Sequence, residues 1–332
     1  MKIVCYGVRE TEKVFFNQVN EKFNFQLTLV PELLTHQNID TVDGHEAVLL
    51  RANCVADKIN LEKMKEKGVK YLLTRTVGVN HIDIKEAQTL GFKMGYVPFY
   101  SPNAVSELAV SLGCGLLRNI FHTTNKTGNT KNFKVDNKMF AKEIRKSTIG
   151  VIGTGKIGYE VAKSWKGIGA KVLGFDIYPA EIAKEVLEYT DIENLISQSD
   201  LITLHCPFIK GENFHMIDEK FISKMKDGSY LVNTARGELV DPQALYDAIV
   251  NGKLNGAALD VVEQESEIFF KEYLDAKITI DAYEKLHSLY PQVVFTPHIG
   301  SYTDEAVTNM VETSFNNLKQ WIENNSCIND IK

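Results

Sequence analysis

The sequence predicts an α/β protein made of two doubly wound parallel-sheet domains with a cleft between them. Three observations carry that expectation. A chain of 332 residues exceeds what one hydrophobic core usually organises, short apolar runs alternate with polar helical stretches in two successive series, and a long apolar helix separates those series.

The first series of strands reads Lys2 to Tyr6, Gln26 to Val30, Ala47 to Leu50, Lys70 to Thr74 and Phe92 to Val97. Ser101 and Pro102 then supply an N-cap and a first-turn proline for an apolar helix running to about Phe121, which bridges to the second series. That series reads Thr148 to Ile152, Lys171 to Phe175, Asp200 to His205, Ser229 to Asn233, Gly256 to Val261 and Val293 to Thr296. One helix between these strands is sharply punctuated, with Asp241 as N-cap, Pro242 at the first helical position and Gly252 at its end. A last helix, from about Thr303 to Asn324, repeats Ala306, Val307, Met310, Val311, Phe315, Leu318 and Ile322 at helical spacing and should return the chain to the first domain.

Composition narrows the function. A net charge of -6 opposes a nucleic-acid surface, which needs a basic face to displace counterions from phosphates. The basic stretch Lys126 to Lys146 is interrupted by Asp136 and Glu143 and reads as a solvated helix face. Five scattered cysteines, without CxxC pairs or His/Cys clusters, imply no metal and a reducing, cytoplasmic setting. No segment approaches the ~20 apolar residues of a membrane span, so no membrane partner is expected.

The chemistry concentrates at strand ends. Gly153-Thr154-Gly155-Lys156-Ile157-Gly158 follows an apolar run and opens a helix, the context in which a GxGxxG turn holds a pyrophosphate at a helix N-terminus. Asp176 ends the next strand, where a carboxylate bonds an adenosine ribose and repels a 2′-phosphate; NAD is expected as cofactor rather than NADP. Ligands of open parallel sheets lie beyond the carboxyl ends of the strands, and those ends present Gly153, Asp176, His205, Arg236, Asp260 and His298. Reduction of a 2-oxo acid needs a forked cation for the carboxylate and a proton for the carbonyl oxygen. Arg236 suits the first task and His298 the second. A carboxylate beside His298 would favour its proton-carrying form, and Glu263, Glu265 and Glu267 are the candidates. Asp260 is placed toward the nicotinamide end. The remaining histidines, His36, His45, His81, His122, His215 and His287, read as surface or satisfied core.

Together the glycine turn, Asn233 to Asp241, Leu259 to Glu265 and Thr296-Pro297-His298 resemble the successive signatures of the D-isomer-specific 2-hydroxyacid dehydrogenases. The resemblance covers nearly the whole chain. It implies a catalytic set of Arg236, Glu265 and His298. It also implies a Rossmann-like NAD domain at residues 102–299, beside a flavodoxin-like substrate domain formed by 1–101 with 300–332. NAD contacts would fall on the glycine turn, on Lys156 and Ile157, and on Asp176, Cys206, Pro207, Asn213, Thr234, Ala235 and Asp260. The loop Arg75-Thr76-Val77-Gly78 is similar to the family's carboxylate-binding turn, with N–H groups of Val77 and Gly78 meeting the substrate. A homodimer through the NAD domain is implied as well.

Tyr100 to Ala104 and Gly300 to Thr303 look most like the D-lactate, (R)-2-hydroxyisocaproate and (R)-2-hydroxyglutarate dehydrogenase subgroup. Phe99, Tyr100, Ile299 and Tyr302 suggest an apolar side-chain pocket, favouring a branched oxo acid such as 2-oxoisocaproate. Arg51, at the end of the Ala47 to Leu50 run, could instead grip a distal carboxylate, which would favour 2-oxoglutarate. Relatives of the hydroxyglutarate type carry an arginine where this chain has Phe99, a departure that weakens that substrate; D-lactate formation is the other alternative. A reading of a different class is an NAD-sensing, corepressor-like binding protein.

Overall fold

In the computed structural model, which describes residues 1–269, 271–274 and 276–332, the chain divides into two compact units. One comprises Met1–Ser101 and Tyr302–Lys332, the other Pro102–Ser301.

The first unit is built on five parallel strands: β1 (Lys2–Tyr6), β2 (Gln26–Val30), β3 (Ala47–Leu50), β4 (Tyr71–Thr74) and β5 (Lys93–Gly95), in the order β2-β1-β3-β4-β5. Strands covered on both faces need apolar residues at every position, and Ala47, Val48, Leu49 and Leu50 are accordingly all buried, whereas edge strand β2 is half-exposed. The closing helix Asp304–Asn324 belongs here because its apolar stripe is covered in this unit. Phe315 meets Phe16, Phe23 and Phe25 edge-on at 5.5–6.3 Å. Trp321 Nε1 and Asn317 Nδ2 donate to the carbonyls of Met94 and Tyr96 on and just after β5.

The second unit has seven parallel strands: β6 (Thr148–Ile152), β7 (Lys171–Phe175), β8 (Glu188–Tyr189), β9 (Leu201–Leu204), β10 (Ser229–Asn233), β11 (Leu254–Leu259) and β12 (Val293–Phe295). Their order is β12-β11-β10-β9-β6-β7-β8, so the winding reverses between β6 and β9. Such a reversal opens the crevice in which doubly wound sheets bind ligands. Trp165, Val161 and Leu112 fill the layer on one face, and Leu245, Ile249 and Leu286 the layer on the other.

The structure departs from the sequence reading in five places, the simplest being β5, which keeps only Lys93–Gly95 of the expected Phe92 to Val97. The long apolar helix ends at Leu117, where Asn119 turns left-handed (φ 51°) and its amide donates to the Phe140 carbonyl; a separate helix, Ile120–Thr130, follows. The basic stretch is therefore no continuous helix face: beyond Thr130 it runs irregularly, and Lys126 reaches back to Asp136 at 2.6 Å. Strand β11 begins two residues earlier than expected and ends at Leu259, because Gly256 packs its backbone against the Gln292 carbonyl and pairs inside the sheet. The two-residue edge strand β8 has no apolar run to announce it. Among the described residues no single helix is long and apolar enough to cross a membrane.

One charge pair stands out in the first unit. Arg75, just after β4, and Glu12 are both 2% exposed, and the guanidinium nitrogens donate to the carboxylate oxygens at 3.1 Å and to the Gly7 carbonyl at 2.8 Å. Burial alone would raise Glu12, but the charge and hydrogen bonds of Arg75, with the Arg9 N–H, hold its carboxyl below the usual range. A carboxyl so depressed contributes stability that is complete above its unfolded value and is lost as pH falls through the folded one. Removing one partner of a buried pair costs about 3–5 kcal/mol. Glu12→Ala should lose that much in urea denaturation at pH 7, and Glu12→Gln should melt with a shallower acid dependence below about pH 4 than the unmutated chain. Equal acid limbs would show that the pair does not carry the effect.

Candidate active site

Register brings three chemistry-bearing turns side by side. Asn233 of β10 pairs with Leu259 of β11, and Leu259 with Phe295 of β12, so Arg236, Asp260 and His298 follow three adjacent parallel strands at one edge of the sheet. Asn233 is fully buried and shapes the first turn: its side-chain oxygen accepts the Ala235 N–H at 3.0 Å and its amide donates to the Arg236 carbonyl at 2.8 Å. The Arg236 side chain is exposed, with one guanidinium nitrogen donating to the Ala235 carbonyl.

Among the three carboxylates considered for His298, the structure selects Glu265. Its two oxygens lie 2.9 and 3.0 Å from His298 Nδ1, while Nε2 has no hydrogen-bond partner among the described residues. An imidazole bonded this way is fixed in rotation: Nδ1–H donates to the carboxylate and Nε2 is turned away from it. Glu263 is engaged elsewhere, 2.9 Å from His215 Nε2. His298 itself has a left-handed backbone (φ 52°), unusual for a residue with a Cβ.

That conformation is held by Asp260, which is 1% exposed and accepts the Thr296 hydroxyl at 2.5 Å and the Ile299 and Gly300 N–H groups at 2.9 Å each. Burial raises its carboxyl above the usual range, with these donors and His298 pulling the other way. In this structure its oxygens face the 296–300 loop. His205, at the end of β9, bonds Thr203 Oγ1 at 2.8 Å, and burial pushes its imidazole down to about 3, so it is neutral at pH 7.

The turn after β6 fits a dinucleotide by three observations. Gly153 has φ +88°, and a Cβ there would meet the Cys206 nitrogen at 2.4 Å, so only glycine lets β6 and β9 turn away so closely. A Cβ on Gly158 would lie 2.0 Å from the Gly153 carbonyl, whereas one on Gly155 would face open space. Helix Lys156–Ile168 thus begins at an uncovered backbone, with Lys156 exposed and Ile157 half-buried. Thr234 is buried, and its hydroxyl has no partner among the described residues. Asp176 ends β7 and accepts Thr154 N–H at 2.6 Å and Tyr178 N–H at 2.9 Å. Cys206 and Pro207 follow β9, and Asn213 closes the next loop, accepting from Ile209 N–H and donating to the Pro207 carbonyl.

The candidate substrate residues of the first unit form their own group. The N–H groups of Val77 and Gly78 donate to none of the described residues, in a turn pinned by the Thr76 hydroxyl bonded to the Gly78 carbonyl. Phe99, Val77 and Tyr302 are 57, 42 and 40% exposed, and Tyr100 is half-buried. The Tyr302 ring lies under the Arg9 guanidinium at 4.2 Å. Arg51 packs against Gly7, and burial together with the charges of Arg9 and Arg75 pulls its guanidinium down to about 10. Sequence reasoning gave no role to Asn233 or Glu12 and took His215 for surface or satisfied core; what distinguishes all three is their partners rather than any local motif.

Comparison with known proteins is consistent along the chain. Residues 110–300 match the family model described as D-isomer specific 2-hydroxyacid dehydrogenase, NAD binding domain. An aromatic 2-oxoacid reductase of Clostridium sporogenes is 40% identical over 330 residues, 99% of this chain and 98% of that one. The solved D-lactate dehydrogenase of Treponema pallidum superposes with a TM-score of 0.91 at 34% identity, covering all of both chains. A solved D-2-hydroxyisocaproate dehydrogenase does so with a TM-score of 0.89 at 33% identity, covering 100% of this chain and 99% of that one.

The two glycines of the turn should separate folding from binding. Gly158→Ala forces helix and turn apart and should cost about 1–3 kcal/mol of stability. Gly155→Ala fits without strain, since its backbone (φ -62°) suits any residue, yet its methyl occupies the approach to the helix N-terminus. It should melt like the parent while raising the Kd for NADH about tenfold, a loss near 1.4 kcal/mol. Unchanged NADH affinity, read by fluorescence titration, would dissociate this turn from the pyrophosphate.

Proposed function

The chain belongs to the D-isomer-specific 2-hydroxyacid dehydrogenase family, an NAD-dependent oxidoreductase acting on CH–OH, and from that premise we propose that it reduces 2-oxo acids bearing a bulky apolar side chain. The observation that carries the mechanism is the bond between Glu265 and His298 Nδ1, which leaves Nε2 as the proton donor.

NAD, in its reduced form, supplies the hydride. The protein's residues do the rest. Arg236 pairs with the substrate carboxylate. In the first unit, the unengaged N–H groups of Val77 and Gly78 are the donors available to an anion. His298 Nε2 donates a proton to the carbonyl oxygen as that oxygen gains charge, and Glu265 stabilises the imidazolium before transfer. The remaining residues assigned to the cofactor are Gly153, Gly155, Lys156, Ile157, Gly158, Asp176, Cys206, Pro207, Asn213, Thr234 and Ala235; Asp260 serves the nicotinamide end by holding the 296–300 loop. Asp176 favours NAD over NADP by charge.

Exposed Phe99, Val77 and Tyr302 support the apolar substrate class. Arg51 is half-buried beside Gly7 and shares the field of Arg9, Arg75 and Glu12, so whether it grips a distal carboxylate is decided by the 2-oxoglutarate arm of the kinetics below. The aromatic 2-oxoacid reductase and the hydroxyisocaproate dehydrogenase among the relatives favour large side chains; the Treponema relative is named for lactate. All five cysteines are unpaired, in keeping with a cytoplasmic setting.

Subunit pairing has a surface to match. The irregular segment after Thr130 exposes Phe133, Val135 and Phe140 at 79, 86 and 88%, more apolar surface than a short loop keeps in water without a partner. A homodimer through this part of the second unit would cover them. Sedimentation equilibrium should give a dimer, and the Phe133→Ser/Phe140→Ser variant should shift toward monomer; a parent that sediments as a monomer would refute the pairing.

Steady-state kinetics with pyruvate, 2-oxoisocaproate, phenylpyruvate and 2-oxoglutarate tests the substrate. Each methylene buried is worth about 0.8 kcal/mol, roughly fourfold in affinity, so the two bulky apolar acids should exceed pyruvate. A 2-oxoglutarate preference that vanishes in Arg51→Met would overturn the assignment. His298→Ala should depress kcat by about 10²–10⁴ with KM largely kept, whereas Arg236→Ala should damage both.

A further inference from the structure

Beside the Glu265–His298 pair lies a second histidine–carboxylate pair that the reaction does not use. His215 Nε2 stands 2.9 Å from Glu263 Oε2, and its Nδ1 is 3.9 Å from Asp241 Oδ2. The ring stacks on Phe214 with centroids 3.8 Å apart and planes at 17°. The backbone at His215 is left-handed (φ 50°), as it is at Gln264 (φ 55°) and His298 (φ 52°). Residues with a Cβ keep such a conformation only where their surroundings over-determine it, and strain of this kind gathers at functional sites.

The surroundings do so here. His215 N–H donates to the Glu238 carbonyl, Ile217 N–H to that of Leu239 and Asp241 N–H to that of Ile217, so the histidine is stitched to the segment that follows Arg236. Glu263 N–H donates to the Tyr283 hydroxyl at 2.7 Å. A Cβ on Gly237 would sit 1.9 Å from the Val262 carbonyl carbon, leaving no slack between the Arg236 turn and the 262–263 peptide. Only Gln264, itself strained, separates Glu263 from Glu265, which opens the short helix Glu265–Ile268. The groups facing His215 are Glu263 and Asp241, with Glu238 met through its backbone and Tyr283 across Glu263.

We infer that His215 is a positioning residue: its bond to Glu263 fixes the 262–265 segment so that the Glu265 carboxylate stays on His298 Nδ1. The inference rests on the reading of Glu265 and His298 as the proton-donating pair. With the bond cut, Glu265 loses its fixed approach, the imidazolium is less favoured, and proton donation fails at lower pH than in the parent. Substrate and cofactor are held by other residues and are little affected.

The test is the pH dependence of 2-oxo acid reduction in four variants. His215→Asn keeps a residue tolerant of the left-handed backbone but too short to reach Glu263, and His215→Gln restores an N–H at that reach. Glu263→Ala removes the other partner, and His215→Asn/Glu263→Ala removes both. His215→Asn and Glu263→Ala should each lower kcat about tenfold, as small misplacements of reacting groups do, and move the alkaline limb to lower pH. KM and NADH affinity should stay within about twofold, the double variant should be no worse than either single one, and His215→Gln should recover most of the loss. A parent-like kcat and pH profile in His215→Asn, or additive losses without movement of the alkaline limb, would overturn the inference while His298→Ala remains inactive. Full activity in His298→Ala would instead overturn the underlying reading.

Discussion

The carboxylate of Asp260 is the constraint on which the geometry of the second unit's site depends. It follows β11 directly, inside the protein, and receives donors from the loop after β12, so two neighbouring strands are tied at the point where one of them delivers His298. A buried carboxylate is costly unless its oxygens are occupied. Here Thr296, Ile299 and Gly300 occupy them, and in doing so they hold the left-handed turn at His298. The solvation needed by one group thereby becomes the conformational restraint on another.

The same economy recurs across the neighbouring turns. Asn233 satisfies its own buried amide by shaping the turn that exposes Arg236, and Gly237 forfeits a side chain so that this turn can rest on the Val262 peptide. His298, Gln264 and His215 all have strained backbones, and all three are flanked by hydrogen-bonded or closely packed segments. Preorganisation of this kind matters because a proton donor fixed before reaction needs no rearrangement as charge develops.

How much of this was legible in the sequence follows from where the information lies. Strands covered on both faces must be apolar throughout, so runs such as Ala47 to Leu50 and Leu201 to Leu204 announce themselves, and the titratable residue after each run marks a strand end. Punctuation by Asp241, Pro242 and Gly252 was legible for the same local reason. The break at Asn119 was not, since it depends on an amide bond to Phe140, 21 residues away. The choice among Glu263, Glu265 and Glu267 was open to residue chemistry alone, because three like carboxylates differ only in where a left-handed Gln264 turns them. His215 looked like any solvated histidine because its partner lies 48 positions further on.

The two units hold charge in different ways, and the difference bears on what each can bind. At the glycine turn of the second unit, what is offered to an anion is the backbone N–H groups at a helix start, which keep their partial charge at every pH. In the first unit Arg9, Arg51 and Arg75 surround the single carboxylate of Glu12, leaving an excess of fixed positive charge near the ends of β1, β3 and β4. Arg75 is spent on Glu12 and Gly7, and Arg9 lies over the Tyr302 ring. Guanidinium groups so occupied act as a background potential rather than as specific ligands. Such a field favours anions of any kind and does not by itself choose among them.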